Sequence, residues 1–411
     1  MIRINIDGQE IKTHAGYTIK QVAERHGIFI PTLCEDEKLK SYGSCGLCVV
    51  EVEGNPKLIR SCSIEARDGM VIHTHTPRVL ESRKTTLELF LSNHTGDCKA
   101  PCTLACPSHV DIQAYVGLTG NGQFEEALKV IKEDLPLPAS IGRVCPHPCM
   151  TDCRRQLIDD PIQIHWIKRY AADLDLASEN PWMPKIKPAS GQKVAVVGGG
   201  PSGLSAAYFL LQEGHAVTIY EANAEFGGML HYGIPMYRLP KDVLRKEVEI
   251  IEKMGAKLVP NTRLGRDISL EHLRAKYDAV YLAIGLWKST PLRVPGEELE
   301  GVFGGIDFLY DFVTAKPLNI GKRVAVIGGG NTAMDAARTA VRLGASEVLV
   351  LYRRTKEDMP AEEIEIIEAE EEGVQFHFTV SPLEVNGDAN GRVQSIRLQK
   401  MRAIPPTDGI G

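Results

Sequence analysis

The stretch VAVVGGGPSGLSAA, residues 194–207, predicts how the second half of the chain folds. An apolar run typical of a buried strand leads into Gly198, Gly200 and Gly203, which form a G-x-G-x-x-G pattern before a helical sequence. In this context the first glycine makes a tight turn and the second lets the backbone approach a pyrophosphate. The third lets the helix pack closely, with its N-terminal amides facing the anion. The stretch therefore predicts a dinucleotide-binding site.

Glu221 indicates which dinucleotide this first unit prefers. It ends the second strand, 23 residues after Gly198, where a carboxylate accepts hydrogen bonds from a ribose with a free 2′-hydroxyl. FAD and NAD both carry such a ribose. The residues predicted to line the site are Gly198, Gly200, Pro201, Ser202, Gly203 and Glu221.

The same strand–turn–helix–strand pattern recurs 130 positions later, in a stretch that ends with LYRR. Arg353 and Arg354 stand where an acid would be expected, and paired guanidinium groups suit a 2′-phosphate. An exposed basic strand end is the alternative explanation of the two arginines. The second unit is therefore predicted to bind NADP, through Gly328, Gly330, Asn331, Thr332, Ala333, Arg353 and Arg354.

All ten cysteines lie in the first 153 residues, a clustering that favours metal ligation over disulfides in a cytosolic chain. The first set is spaced C-x10-C-x2-C-x13-C, with small glycines beside the inner pair. A zinc ribbon would need two C-x2-C pairs, and only one is present. The sequence thus favours a [2Fe–2S] cluster held by Cys34, Cys45, Cys48 and Cys62.

The other six cysteines form two triplets with four-residue spacing. Cys106 and Cys145 are each followed by proline, as in bacterial ferredoxin runs, where such a cysteine often ligates a different cluster from its neighbours. Cys106 is therefore expected to join Cys145, Cys149 and Cys153 on one [4Fe–4S] cluster.

Cys98 and Cys102 then remain for a second [4Fe–4S] cluster. His94, four residues before Cys98, is the candidate third ligand, and a surface or capping histidine is the alternative. The fourth ligand of this cluster is not assigned by the sequence.

Composition and charge describe an ordinary globular protein, with 43% hydrophobic residues, 24% charged residues and a net charge of −6. Nothing in this balance argues for a nucleic-acid surface. No apolar run reaches the roughly 18 residues that a membrane span needs, so no membrane insertion is expected. The N-terminus alternates apolar and polar residues and lacks the apolar region of a signal peptide, so the expected location is cytoplasmic.

Local signals divide the chain into segments. Asp7 and Gly8 predict a hairpin turn, and Thr18 with Gln21 predicts a helix capping box. The acidic tract AEEIEIIEAEEEG is interpreted as an amphipathic helix with a solvated face rather than a metal site. The expected domains are a [2Fe–2S] ferredoxin-like domain at 1–80, a helical [4Fe–4S] domain at 81–177, a linker at 178–192, an FAD-binding unit at 193–290 and an NADP-binding unit at 291–411.

Several stretches resemble one family. ACPSHVDIQAYV, GRVCPHPC, VVGGGPSGLSAA, FGGMLHYGIPMYRLPKDV, YDAVYLAIG and IGGGNTAMDAARTA make residues 95–411 similar to the glutamate synthase small-subunit family. Its relatives include the N-terminal half of dihydropyrimidine dehydrogenase and the NADPH-binding subunit of bifurcating transhydrogenases. Residues 1–98 instead resemble the [2Fe–2S] module of the complex I large iron–sulfur subunit, which hydrogenases and formate dehydrogenases also carry.

The resemblance implies a multidomain α+β and α/β fold. It would consist of a β-grasp ferredoxin-like domain, a helical iron–sulfur domain and two Rossmann-like units. The family holds FAD in the first of these units, which extends that site to Gly228, Met229 and Arg238.

Three departures from the family accompany these matches. His94 and Cys98 stand where the family has two cysteines. Lys168 occupies the position of a Gln or Glu cluster ligand, and an ammonium group cannot ligate iron. The family completes its flavin site with a Gly-Asp segment after the NADP unit, whereas this chain stops at DGIG, so both nucleotide units are expected to be incomplete.

Together these features predict an electron-transfer flavoprotein that carries FAD, NADP(H), one [2Fe–2S] cluster and one or two [4Fe–4S] clusters. Its expected partner is a redox subunit, such as a hydrogenase or formate dehydrogenase, or a ferredoxin. No Ser/His/Asp or paired-carboxylate arrangement points to a catalytic residue. One alternative is a glutamate synthase (NADPH) small subunit, against which the N-terminal cluster domain counts. Another is a nucleotide-binding redox sensor or assembly subunit without turnover.

Overall fold

A computed structural model describes residues 1–35, 41, 43–94, 96 and 98–402. The chain forms two compact units, Met1–Cys98 and Lys99–Gly411. The mixed α/β character predicted from the sequence is confirmed. In the described part of the chain, no helix combines the length and the apolar character that crossing a bilayer requires.

The first unit is a mixed sheet with one helix packed on it and a longer helix at its end. The sheet order is β2-β1-β5-β3-β4, in which only the β1–β5 pair is parallel among the pairings of described residues. The elements are β1 (Ile2–Ile6), β2 (Gln9–Thr13), α1 (Ile19–Arg25), β3 (Val49–Val52), β4 (Ile59–Arg60), β5 (Val71–His73) and α2 (Pro77–Ser92).

Local sequence chemistry explains the start of this unit. Asp7 and Gly8 both have positive φ, at 51° and 88°, as a two-residue hairpin turn of the primed type requires. The Thr18 side chain accepts from the backbone N–H of Gln21, whose own side chain accepts from the Thr18 N–H. The predicted hairpin and capping box are therefore confirmed.

The second unit begins with helices that enclose an apolar core around Tyr115 and Ile131. The helix α5 turns its apolar stripe inward, as its alternation of apolar and charged residues predicts. The helices are α3 (Pro101–Ala105), α4 (Ile112–Gly120), α5 (Phe124–Asp134), α6 (Pro138–Val144), α7 (Pro148–Thr151) and α8 (Ile164–Leu176).

A parallel sheet follows, in the order β8-β7-β6-β9. Its central strands are buried on both faces, which is why they read as continuous apolar runs. The elements are β6 (Lys193–Val197), α9 (Pro201–Gln212), β7 (Ala216–Tyr220), α10 (Met229–Tyr232), α11 (Lys241–Lys253), β8 (Lys257–Val259), α12 (Leu270–Lys276) and β9 (Ala279–Leu282).

The second strand–turn–helix pattern forms another parallel sheet, in the order β10-β11-β12, beside an antiparallel hairpin β13–β14. In each parallel sheet the glycine turn follows the carboxyl end of the first strand, after Val197 in one and Ile327 in the other. The elements are α13 (Gly305–Val313), β10 (Arg323–Ile327), α14 (Asn331–Arg342), β11 (Glu347–Leu351), α15 (Glu363–Glu371), β12 (Gln375–His377), β13 (Val380–Gly387) and β14 (Val393–Lys400).

The acidic tract forms the helix α15, but its faces differ from the expectation. Glu365 is buried, at 7% exposure, whereas Ile364 is 53% exposed. The prediction of a solvated acidic face is wrong for Glu365, because two arginines, Arg238 and Arg338, lie against its carboxylate. Such pairing offsets the cost of burying the charge.

Candidate functional site

The first glycine turn joins β6 to α9 at very close range. Gly198 has φ of +111°, a conformation that favours glycine. A Cβ placed on Gly203 would lie 1.9 Å from the carbonyl oxygen of Gly198, so no larger residue fits there. Pro201 and Ser202 form the first turn of α9, whose free N–H groups face the turn. The turn thus has the close helix packing that a pyrophosphate site needs.

Glu221 lies directly after β7 and beside this turn. Its side chain is buried, at 4% exposure. One carboxylate oxygen accepts from the backbone N–H of Gly199 at 2.8 Å, and the other accepts from that of Asn223 at 2.8 Å. A carboxylate can accept about four hydrogen bonds, so capacity remains for the hydroxyls of a ribose.

Two of the three residues carried over by the resemblance also lie near the turn. Gly228 has φ of +53°, and a Cβ there would lie 2.7 Å from the Cα of Gly200. Met229 begins α10 immediately after it. The segment thereby packs backbone to backbone against the turn at the N-terminus of α9.

The third of these residues, Arg238, is held in a buried ion network. Its guanidinium donates to the two oxygens of Asp335 at 3.0 and 2.8 Å and lies 2.6 Å from Glu365. Arg338 continues the network to Glu365 at 2.7 Å and to Glu372 at 2.9 Å. Burial raises the pKa of Asp335 to about 6, although the charge of Arg238 opposes the shift.

The sequence did not predict this network of buried ion pairs. It connects the segment after α10 with the helices α14 and α15, so it ties the first nucleotide unit to the second. Charged residues spaced along α14 look like an ordinary solvated face, and the sequence carries no signal that they are buried.

The second glycine turn, between β10 and α14, is less tightly packed than the first. Gly328 has φ of +141°, and a Cβ on it would make an ordinary 3.4 Å contact with the Cβ of Ala333. That spacing explains why alanine serves as the third residue of the pattern. Asn331 and Thr332 begin α14, and the Asn331 side chain accepts from the backbone N–H of Glu362 at 3.0 Å.

Arg353 and Arg354 lie just past the end of β11, and both are exposed. Tyr352 occupies the position that Glu221 has after the first glycine turn, because Gly328 bonds the carbonyl of Leu351 as Gly198 bonds that of Tyr220. The two arginines come one and two residues later. The two units therefore present opposite charges at the end of the second strand.

The first cysteine set forms two close pairs. The sulfurs of Cys48 and Cys62 lie 3.3 Å apart and both residues are fully buried. The Cys34 sulfur accepts from the backbone N–H of Cys45 at 3.3 Å. A disulfide is about 2.05 Å long, so these are free thiols held beside each other. Paired thiols suit a [2Fe–2S] cluster, in which each iron takes two protein ligands.

The electrostatics of these thiols differ. Burial raises the pKa of Cys45, but hydrogen bonds from the backbone of Leu33 and Leu47 outweigh it and lower the pKa to about 6. Burial and the neighbouring Cys48 raise the pKa of Cys62 to about 12. Part of the surrounding loop, 36–40 and 42, lies outside the described residues.

Four of the remaining six cysteines act electrostatically on the Tyr115 hydroxyl. Burial raises the pKa of Tyr115, and the charges of nearby thiols act in the same direction. The thiols whose charges raise the pKa of Tyr115 are those of Cys149, Cys106, Cys102 and Cys145. Cys153 acts likewise on Cys102. Cys102 and Cys106 pack in one apolar cluster with Cys149, although the sequence assigned Cys102 to a different iron–sulfur cluster. Among the described residues, no group of three or more His, Cys, Asp or Glu side chains is arranged to hold a metal ion.

Two further features of this region concern the predicted ligands. The His147 backbone N–H donates to the Cys145 sulfur at 3.3 Å, as backbone amides do around iron–sulfur clusters. Lys168 is buried, at 8% exposure. Burial raises the pKa of Cys149 to about 11, against the lowering effect of Lys168. The charge of Lys168 therefore acts on the Cys149 thiol.

His94 and Cys98 both belong to the first unit. The His94 Nε2 and the Cys98 sulfur lie 3.9 Å apart, and both residues are exposed. The other ring nitrogen of His94 accepts from the backbone N–H of Gly96 at 3.1 Å, which orients the ring.

Three family models match consecutive parts of the chain. They are a 2Fe-2S iron-sulfur cluster binding domain at residues 1–77, a dihydropyrimidine dehydrogenase domain II with a 4Fe-4S cluster at 92–180, and a pyridine nucleotide-disulphide oxidoreductase at 192–405. The last model alone covers more than half of the chain.

Individual proteins similar to this chain are consistent with these family matches. The chain is 44% identical over 350 residues to the NADPH-Fe(3+) oxidoreductase subunit beta of Geobacter sulfurreducens, covering 81% of this chain and 52% of that protein. It is 42% identical to the NADP(+)-dependent formate dehydrogenase subunit beta of Moorella thermoacetica, covering 75% and 47%. It is 36% identical to the glutamate synthase [NADPH] small chain of Escherichia coli, covering 74% and 67%. The chain thus spans about half the length of the first two relatives.

Proposed function

This chain belongs to the glutamate synthase small-subunit-like family, and we propose that it passes electrons between NADP(H), FAD and iron–sulfur clusters, to or from a partner redox subunit or a ferredoxin. A bound flavin exchanges a hydride with nicotinamide and single electrons with clusters, so it links the two kinds of carrier. The observation that carries the proposal is the charge difference between the two nucleotide units. Glu221 follows the second strand of one, and Arg353 and Arg354 come shortly after that of the other.

FAD is assigned to the first glycine turn, between β6 and α9. Gly198 and Gly203 allow the close strand–helix packing of such a site, and the N–H groups at the start of α9 would bind the pyrophosphate. Glu221 is held by two backbone hydrogen bonds and would accept from the ribose. Gly228 packs closely on Gly200, which places the segment that begins α10 beside this turn.

NADP(H) is assigned to the second glycine turn, at the N-terminus of α14. Arg353 and Arg354 would bind the 2′-phosphate with paired, charge-assisted hydrogen bonds. Their exposure fits this role, because the 2′-phosphate of a bound nucleotide lies at the rim of such a site.

The thiol sets would hold the clusters. We assign the [2Fe–2S] cluster to the paired thiols of Cys34, Cys45, Cys48 and Cys62, the last three of which are buried, and one [4Fe–4S] cluster to Cys106, Cys145, Cys149 and Cys153. A second [4Fe–4S] cluster with Cys98, Cys102 and His94 rests on sequence spacing alone.

The finer architecture follows the same assignments. The proposed domains are a β-grasp ferredoxin-like domain to about residue 80, a helical iron–sulfur domain to about 177, and Rossmann-like units for FAD and NADP after 193. A cytoplasmic location is supported by the use of all ten cysteines as free thiols in the described chain.

A partner subunit is supported by the relatives, since those of Geobacter sulfurreducens and Moorella thermoacetica are both named as beta subunits. The alternative of a glutamate synthase small subunit is favoured by the Escherichia coli relative. Against it stands the match of residues 1–77 to a separate 2Fe-2S domain, an electron-transfer module that such a subunit would not need.

The proposal is tested by NADPH oxidation with an artificial electron acceptor, using the chain loaded anaerobically with iron, sulfide and FAD. NADPH-dependent reduction of the acceptor is expected, with little activity from NADH. No turnover by a chain that retains both flavin and clusters would favour the redox-sensor or assembly alternative.

A further inference from the structure

A buried arginine bonds the residue that follows Cys48, and it lies on a helix that the sequence assigned to the next domain. Arg83 is 8% exposed, although arginine is rarely buried unless it is paired. It is located on α2, which begins at the residue where the match to the 2Fe-2S domain ends. Nothing in the assigned function uses it.

The start of α2 is fixed to the strand β3, which fixes Arg83 in turn. The Thr76 side chain caps the helix by accepting from the Val79 N–H at 3.3 Å, and it donates to Glu51 at 2.7 Å. Val79, one turn before Arg83, is fully buried on the same face of the helix. Arg83 therefore cannot turn away from the sheet.

Arg83 reaches the backbone next to a predicted cluster ligand. One terminal nitrogen donates to the carbonyl oxygen of Val49 at 2.8 Å, and Val49 directly follows Cys48. One turn further along α2, the methyl of Thr86 lies 3.6 Å from the position of a Cβ on Gly46, between the two inner cysteines. This face of α2 thus covers the loop that holds Cys45 and Cys48.

The charge of Arg83 is only partly balanced. The acidic groups whose charges act on it are Cys48 and Asp7, while burial lowers its pKa. Its Nε is buried and has no hydrogen-bond partner among the described residues. A residue whose only role was to bond the Val49 carbonyl would need one neutral N–H donor. It would not need a positive charge or the additional, unpartnered Nε of Arg83.

We propose that Arg83 raises the reduction potential of the [2Fe–2S] cluster by stabilising the negative charge that the cluster gains on reduction. The proposal rests on the assignment of that cluster to Cys34, Cys45, Cys48 and Cys62. One electron enters the cluster, and Arg83 takes up no proton or electron. Because the guanidinium is buried, water screens its charge far less than at the surface.

The test is an anaerobic redox titration of the whole chain, loaded with iron and sulfide and followed by electron paramagnetic resonance. The two-iron signal is read at a temperature where [4Fe–4S] signals are broadened. Arg83→Gln and Arg83→Met remove the charge, and the methionine variant also avoids leaving a buried polar group unpaired. Arg83→Lys keeps the charge. Arg78→Gln is the matched control, because Arg78 lies on the same helix but is exposed and bonds Pro56.

Both neutral variants are expected to lower the equilibrium constant for reduction at least about tenfold, which is about 59 mV for one electron. Arg83→Lys and Arg78→Gln are expected to stay within about threefold of the unmodified chain. The proposal is overturned by an unchanged potential in a neutral variant that keeps its iron, or by an equal drop in the lysine variant. Loss of the two-iron signal from both neutral variants also overturns it, because Arg83 would then hold the fold. No two-iron signal in the unmodified chain would overturn the cluster assignment itself.

Discussion

The carboxylate of Glu221 accepts a hydrogen bond from the backbone N–H of Gly199 at 2.8 Å, which ties the end of β7 to the glycine turn after β6. The parallel pairing of the two strands places their carboxyl ends side by side, so residues 22 positions apart meet. The acid thereby fixes the turn, and under the proposed function it would also accept hydrogen bonds from the ribose of FAD.

Glu221→Gln should raise the dissociation constant for FAD at least about tenfold. A neutral amide has one acceptor oxygen in place of two, and charge-assisted hydrogen bonds contribute about 1.5–3 kcal/mol each. Flavin affinity is measured by fluorescence titration, and iron content should stay unchanged. Glu213→Gln, at an exposed glutamate that ends α9 and pairs with Lys187, is the matched control. Equal flavin affinity in Glu221→Gln and the control would remove Glu221 from the site.

Arg353→Ala combined with Arg354→Ala should raise the Michaelis constant for NADPH at least about tenfold and affect NADH little. Two charge-assisted contacts to the 2′-phosphate would be lost, and NADH has no such phosphate. Steady-state kinetics with both nucleotides measure the effect. Arg323→Ala is the control, because Arg323 is exposed at the opposite end of the same sheet, where it pairs with Glu347. Equal losses for the two nucleotides would argue against a role in selectivity.

Asp335→Asn should lower the free energy of unfolding by about 3 kcal/mol or more, because it removes one partner of a buried ion pair. Urea denaturation followed by circular dichroism measures the change. Asp311→Asn is the control, since the pair of Asp311 with Lys316 is exposed and should contribute below about 1 kcal/mol. An Asp335 variant as stable as the control would mean that Glu365 alone balances the buried charge of Arg238.

The stability of the chain should depend on the ionisation of Glu247. This carboxyl is fully buried and accepts from the backbone N–H groups of Ala139 and Ser140 at 2.7 and 3.0 Å. Burial raises its pKa to about 7 from an ordinary value of 4.5. The folded state therefore holds the proton more tightly than the unfolded state, so this stabilisation is complete below about pH 4.5 and is lost as the pH rises through about 7.

Comparison with Glu247→Gln isolates this effect, because glutamine does not titrate and other groups cancel in the difference. The advantage of the unmodified chain over the variant should shrink by up to about 3 kcal/mol between pH 4.5 and pH 7.5. Urea unfolding at a series of pH values measures it. A difference that does not vary with pH would mean that Glu247 keeps its ordinary pKa in the folded chain.

Features set by local sequence were predictable. The Asp7–Gly8 turn, the Thr18 capping box and the two glycine turns each depend on residues a few positions apart. The matches to known families agree with the sequence-based prediction of cluster and nucleotide domains. Short-range chemistry is therefore sufficient for the elements and for the kind of cofactor.

Features that depend on tertiary contacts were not predictable. Arg83 is separated from Val49 by 34 positions and Arg238 from Asp335 by 97, so no local pattern joins them. Glu365 was expected on a solvated face because single-sequence patterns give the charge of a residue but not its buried partner. Buried ionic contacts of this kind are where the sequence-based interpretation stops.

The most direct test of the central claim is anaerobic addition of NADPH to the chain loaded with FAD, iron and sulfide. Flavin absorbance and the electron paramagnetic resonance of the clusters are recorded together, beside the Arg353→Ala, Arg354→Ala chain. NADPH should bleach the flavin and produce reduced-cluster signals, and the double variant should need at least about tenfold more NADPH. Clusters that dithionite reduces but NADPH does not, in a chain with stoichiometric flavin, would contradict electron transfer from NADPH through this protein.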